Sequence, residues 1–186
     1  MSTATELEDD LDLGEYSPEG VEKEMADGGR LPVGKYHAQL VAVGDTQATQ
    51  RGVMQIPLTF QILAGPHAGR RHTERLNDFV NGATEDAKKK SNNRYLLFAS
   101  RLGFYDTAGG KYRRLKPSFR ECVGADCIIE IKHEPKRDNP SVVYANITFG
   151  GVYTLTDPKH KDVPRAAAGS VPVPAAGPAE VDTSDL

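Results

Sequence analysis

Between Met54 and Ile62 every second residue is large and apolar: Met54, Ile56, Leu58, Phe60 and Ile62 alternate with Gln55, Pro57, Thr59 and Gln61. Successive side chains of a strand point to opposite faces, so this pattern predicts a strand with one oily and one polar face. An oily face is stable only against a core that other elements supply, so the chain must build a packed sheet. Pro57 has no amide hydrogen and must lie where no ladder bond is needed. Lys35 to Val43 (KYHAQLVAV) also alternates well enough for a strand. Gly65, Pro66 and Gly69 make a turn. A polar strand follows through Arg70, Arg71, His72, Thr73, Glu74, Arg75 and Leu76, with Arg71, Thr73 and Arg75 on one face and Arg70 and His72 on the other.

The period changes at Thr84. Thr84 is a good N-cap, Glu85 and Asp86 suit the positive end of a helix dipole, and Gly103 suits the terminus. Tyr95, Phe98 and Leu102 recur at helical spacing, with Leu97 beside them, giving one face to dock on a core. An irregular basic stretch runs from Asp106 to Arg120. Cys127, Ile129 and Ile131 then alternate with Ile128, Glu130 and Lys132. After a turn at Asn139-Pro140, Val143, Ala145, Ile147 and Phe149 oppose Val142, Tyr144, Asn146 and Thr148. Three strands, a helix and two strands make an all-β chain with one helix. That is the element order of an OB-fold, a five-stranded Greek-key barrel with its helix between the third and fourth strands.

At 186 residues the chain has room for one domain and tails. Its 38% apolar content is low for a chain folded throughout, and the shortage is local. Residues 1–30 carry ten acidic and two basic side chains and read as a mostly disordered acidic segment. Residues 31–165 carry 21 basic against 13 acidic side chains and form the expected domain. Residues 166–186 are an Ala/Pro/Gly linker leading to Glu180, Asp182, Asp185 and Leu186. A near-neutral total thus hides a basic body between acidic ends, which points to a polyanionic partner. No apolar run approaches the length of a membrane span, and acids stand where a secretory signal would be basic. With only two cysteines no disulfide framework is indicated. A soluble, cytoplasmic protein is expected.

If the polyanion is a nucleic acid held without sequence preference, it needs a positive groove and, for unpaired bases, aromatic faces for stacking. The candidates are Arg70, Arg71 and Arg75 on the third strand, Lys132 on the fourth, and Tyr144, an aromatic in the polar set of the fifth. The basic loop adds Lys111, Tyr112, Arg113 and Arg114, cations interleaved with a ring. Phe104 and Phe119 of the same loop read better as core residues. Lys88, Lys89 and Lys90 point in different directions from a helix and read as a solvated face.

Three other motifs fail on context. Gly29 to Lys35 spells G-x-x-x-x-G-K, but Tyr36 replaces the Ser or Thr and a strand follows instead of a helix. Glu130-Ile131-Lys132 with Asp106 or Asp126 is a poor version of a metal-dependent nuclease site, lacking the carboxylate spacing and the following helix. Cys122, Cys127 and His133 lack zinc spacing and a fourth ligand. No nucleophile motif occurs. The reading is of a non-enzyme needing no cofactor or metal.

Leu31-Pro32-Val33-Gly34-Lys35-Tyr36, the turn at Gly52, and Gly65-Pro66-His67-Ala68-Gly69-Arg70 resemble a phage family. Its members are single-stranded DNA-binding proteins with an OB-fold, formerly catalogued as a domain of unknown function beside recombination and replication genes. Gly124, leading into the fourth strand, is similar to OB-fold binding proteins more generally. The resemblance spans roughly residues 31 to 155. It implies an OB barrel and a part in phage DNA replication and recombination, in the host bacterial cytoplasm. It also implies a C-terminal tail, Glu180 to Leu186, that recruits phage or host partner proteins; this tail has fewer acids than the bacterial pattern and ends in Leu186 rather than Pro-Phe. A homo-oligomer is compatible with it. The alternatives are a protein-interaction or RNA-binding module on the same scaffold, and the nuclease.

Overall fold

A computed structural model describes residues 30–136 and 139–167. The expectations for residues 1–29 and for Glu180, Asp182, Asp185 and Leu186 lie outside these described residues. The unit that contains the sheet begins at Leu31.

Among the described residues five long strands and one α-helix occur in the expected order. They are β1 (Gly34–Val43), β3 (Met54–Ile62), β4 (Arg71–Asn77), helix α1 (Glu85–Arg101), β7 (Asp126–Lys136) and β8 (Asn139–Tyr153). Among the described residues eight strands are present rather than five. The extra three have two residues each: β2 (Gln47–Ala48), β5 (Tyr105–Asp106) and β6 (Arg113–Arg114). They form in segments with too few residues to show a period. The stretch read as an irregular basic loop therefore contains a small β5–β6 hairpin. Asn139 and Pro140, read as a turn, belong instead to β8, where Asn139 pairs with Lys136.

The main sheet is antiparallel, with β3, β1, β7 and β8 side by side, β4 on the free side of β3, and β2 extending the β1 side of β3. The sheet is not closed: β4 and β8 are its outer long strands and share no ladder among the described residues.

Alternation determines the core. Ile56, Leu58, Phe60 and Ile62 of β3 are all buried, as are Leu76 of β4, Ala38 and Leu40 of β1, and Cys127, Ile129 and Ile131 of β7. Each large apolar side chain so buried contributes about 1.5–3 kcal/mol. Thr84 caps α1 as expected, its hydroxyl accepting from the Ala87 amide at 3.2 Å. The helix presents Tyr95, Phe98, Ala99 and Leu102 to the core, where Phe104 and Phe119 stack on each other. Gly103, past the helix end, has φ of 77°, a conformation costly for other residues.

Two elements break simple alternation. Ile128 lies on the outer face of β7, between its partners His37 and Tyr153, yet is fully buried. On β8 the register with β7 shifts between Ile131↔Ile147 and Ile129↔Val152. Phe149 falls in that bulge, so it is 40% exposed and not the core residue its spacing suggests. Gly151 is required there, because a Cβ would stand 3.0 Å from the Glu130 carbonyl oxygen. No helix among the described residues is long and apolar enough to cross a membrane.

Candidate nucleic-acid interface

On β4 the outward residues are Arg71, Thr73 and Arg75, all exposed, while His72, Glu74 and Leu76 are buried. A carboxylate in that inward position needs partners, because a buried unpaired charge is costly. Glu74 has three: His72 Nε2 at 3.5 Å, Arg94 Nη2 at 3.1 Å, and the backbone amide of Ile147 on β8 at 2.8 Å. Burial pushes its pKa up, but the bonds from His72, Arg94 and Ile147 outweigh this and hold it below the ordinary value.

Because β4 and β8 are joined by side chains instead of a ladder, a cleft of about 670 Å³ opens at the seam. Thr73, Glu74 and Arg75 line it from β4, Lys132 and Glu134 from β7, and Tyr144 to Ile147 and Phe149 from β8. Lys90 and Arg94 of α1 and Gln55 of β3 complete it. A shallower extension of about 260 Å³ shares Lys90, Arg94 and Phe149 and runs on past Leu76, Asn77, Ala87 and Ser91.

Four cations and two carboxylates therefore meet in the cleft. Arg94 is committed to Glu74 and to the Ile147 carbonyl, at 3.0 Å, and lies over the Phe98 ring. Lys132 pairs with Glu134 at 2.5 Å. Hydrogen bonds from Lys132 and from Asn146 hold the Glu134 carboxyl below its usual range. Arg75 is exposed on the rim, and Lys90 Nζ stands 6.0 Å from the Phe149 ring centroid. Tyr144 is 48% exposed, so two half-open rings border a positive groove.

The sequence candidates thus divide. Arg75, Lys132 and Tyr144, from three strands, meet in the cleft. Arg71 shares the face of Arg75 but does not line it. Arg70 is in the turn before β4, its Nη1 3.4 Å from His67 Nδ1. Lys111, Tyr112, Arg113 and Arg114 lie on or beside the β5–β6 hairpin and none lines the cleft. There Arg113 pairs with Asp106 at 3.0 Å. Arg114 lies over the Phe104 ring at 5.2 Å and donates to the carbonyls of Lys116 and Pro117, a bracing arrangement. Tyr112 is 52% exposed and meets Tyr105 edge-on.

Lys90, Arg94, Phe149, Gln55 and Asn146 escaped the sequence reading. Ala87, Lys90, Arg94, Phe98 and Arg101 form one helical stripe, and cations on a stripe shared with a core Phe are a usable signal. Gly150-Gly151 after Phe149 is the signal for its bulge. The failed motifs have other uses. Lys35 faces Glu130 at 3.9 Å. Glu130 also accepts from the hydroxyls of Thr148 and Tyr153. Cys122 and Cys127 are buried, and burial pushes both thiol pKa values up.

The family described as "Protein of unknown function (DUF669)" matches residues 20–155. The chain belongs to that family. All residues of the cleft fall inside the DUF669 match, which ends two residues after β8. No curated protein matches the chain.

Proposed function

We propose that this chain binds single-stranded DNA in the β4–β8 cleft without modifying it, using an OB-type barrel. The observation that carries the reading is the convergence in one cleft of Arg75, Lys132 and Tyr144 with Lys90 and Phe149. Cations suit the phosphates and release their counterions, while the two rings offer faces to successive bases. The order of the long elements and the seam between the third long strand and the last hairpin support the OB assignment, because OB-folds bind oligonucleotides on their second and third strands and adjoining loops. A part in phage DNA replication and recombination rests on the resemblance of the Leu31–Tyr36 and Gly65–Arg70 segments.

Photo-crosslinking to a thymine-rich single strand, followed by peptide mapping, tests the location. Crosslinks at Tyr144 and Phe149 are expected. Crosslinks confined to the Tyr112 hairpin would move the site there, and their absence would remove it.

One observation favours a protein-binding role on the same scaffold. Met54, Phe79 and Val80 are 37%, 47% and 59% exposed on adjoining segments. Asn81 and the Asp78 amide tie the two segments together through the Met54 backbone. Val80 has φ of 66°, an unfavourable conformation for a β-branched residue, and its amide is held by Asn92 Oδ1 at 2.6 Å. Such a fixed apolar knob suits a protein surface better than a polyanion.

A further inference from the structure

The described chain continues past β8, and residues 154–167 return across the outer face of β1. Two of the contacts of this strap with β1 end on a histidine nitrogen. The Ala166 amide donates to His37 Nδ1 at 3.0 Å, and Lys35 Nζ lies 3.2 Å from His160 Nδ1. His37 and His160 are 5% and 6% exposed, so neither contact is shared freely with water. The strap braces itself through Arg165, which donates to the Leu155 and His160 carbonyls at 3.2 and 3.0 Å. His160 also lies against the Tyr153 ring, with centroids 4.0 Å apart.

A backbone amide can only donate, so His37 Nδ1 carries no proton in this arrangement. The ring is therefore neutral, its proton on Nε2, which is buried without a partner among the described residues. We propose that His37 is a pH-operated latch for residues 154–167: the neutral ring holds the strap by accepting the Ala166 amide, and protonation sets donor against donor beside the Arg165 guanidinium and releases it.

The groups around the ring agree. Burial is the largest influence and disfavours the charged form; Asp126 at the start of β7 favours it, and Arg165 of the strap opposes it. Asp126 is itself engaged by Gln39 Nε2 at 2.9 Å. Just past the end of β3, the Leu63 amide donates to the His37 carbonyl. At His160 the flanking groups are Lys35 on one nitrogen and Asp157 4.0 Å from the other, with Glu130 reached through Tyr153 and Lys35. The His37 pKa lies below its ordinary 6.5. Strap docking is therefore complete above that value and is lost as pH falls through the lower, folded-state pKa. Residues 168–186, which carry Glu180, Asp182 and Asp185, follow directly from the latched end. The latch is independent of the DNA reading.

Nitrogen-15 NMR of the full chain tests it. At pH 7.5 a through-hydrogen-bond coupling between the Ala166 nitrogen and His37 Nδ1 is expected. As the pH is lowered from 7.5, that coupling and the exchange protection of the strap amides should vanish in step with titration of the His37 ring, while Leu58 and Phe60 stay protected. His37→Asn, which places a non-titrating acceptor near the Nδ1 position, should keep the strap protected at the pH that releases the wild-type strap. Strap protection that ignores the titration of the wild-type His37 ring overturns the latch. Equal acid release in a His37→Asn chain whose strap is docked at pH 7.5 does so too. Should that variant be undocked already at pH 7.5, the wild-type titration alone decides.

Discussion

Glu74 Oε2 accepts the Ile147 amide at 2.8 Å, so a side chain of β4 stands where a neighbouring strand's carbonyl would stand in a ladder. Arg94 completes the substitution, bonding the other Glu74 oxygen and the Ile147 carbonyl. One carboxylate and one guanidinium thus stitch the seam between β4 and β8. The candidate site exists because that seam is stitched and not zipped.

Removing the stitch should be costly. Glu74→Ala leaves the partly exposed Arg94 without its counter-charge and the Ile147 amide without an acceptor, at an expected cost of about 1–3 kcal/mol. Glu74→Gln keeps an acceptor for Ile147 and should cost less. Urea denaturation of the three chains measures both, and equal midpoints would contradict the seam's role.

The same carboxylate makes stability acid-sensitive. Its folded pKa is depressed below the ordinary 4.5, so its contribution is present above that value and is lost as pH falls through the folded pKa. The wild-type midpoint should fall in acid more steeply than that of Glu74→Gln. Parallel pH profiles would show that the acid loss arises elsewhere.

Within the cleft, rings and cations should fail differently. Tyr144→Ala and Phe149→Ala should each weaken single-strand binding by roughly 1–3 kcal/mol, about 5- to 150-fold in Kd, at all salt concentrations. Arg75→Ala and Lys90→Ala should weaken it most at low salt and reduce the slope of log K against log salt by about one each. Titrations over a salt series separate the two classes.

The β5–β6 hairpin should behave as structure. Arg114→Ala loses the cover over Phe104 and two carbonyl bonds, so it should lower the thermal midpoint while leaving single-strand affinity within about twofold. A large affinity loss without a stability loss would return Arg114 to the binding surface.

The five long strands and the helix were legible because each buries one face, and burial imposes a period on the sequence. Ile56 to Ile62 and Tyr95 to Leu102 show it most clearly. The two-residue strands were not legible, since two residues carry no period. Phe149 was misread because a bulge slips the register, so the count from Val143 is right through Ile147 and wrong beyond it. Arg75, Lys132 and Tyr144 could be chosen from strand parity alone. For Lys90 the stripe it shares with Phe98 shows only that it flanks the core; that it meets the β4–β8 seam is a long-range relationship that no local pattern records. Lys111 to Arg114 looked like a site because composition reports charge and rings but not whether Asp106, Phe104 or a carbonyl already engages them.

The most direct test is a fluorescence-anisotropy titration of the purified chain with a labelled single strand of about 30 nucleotides and with its duplex, at low and physiological salt. Binding in the cleft requires preference for the single strand, weakening as salt rises. Equal affinity for the duplex, or no binding even at low salt, would contradict it.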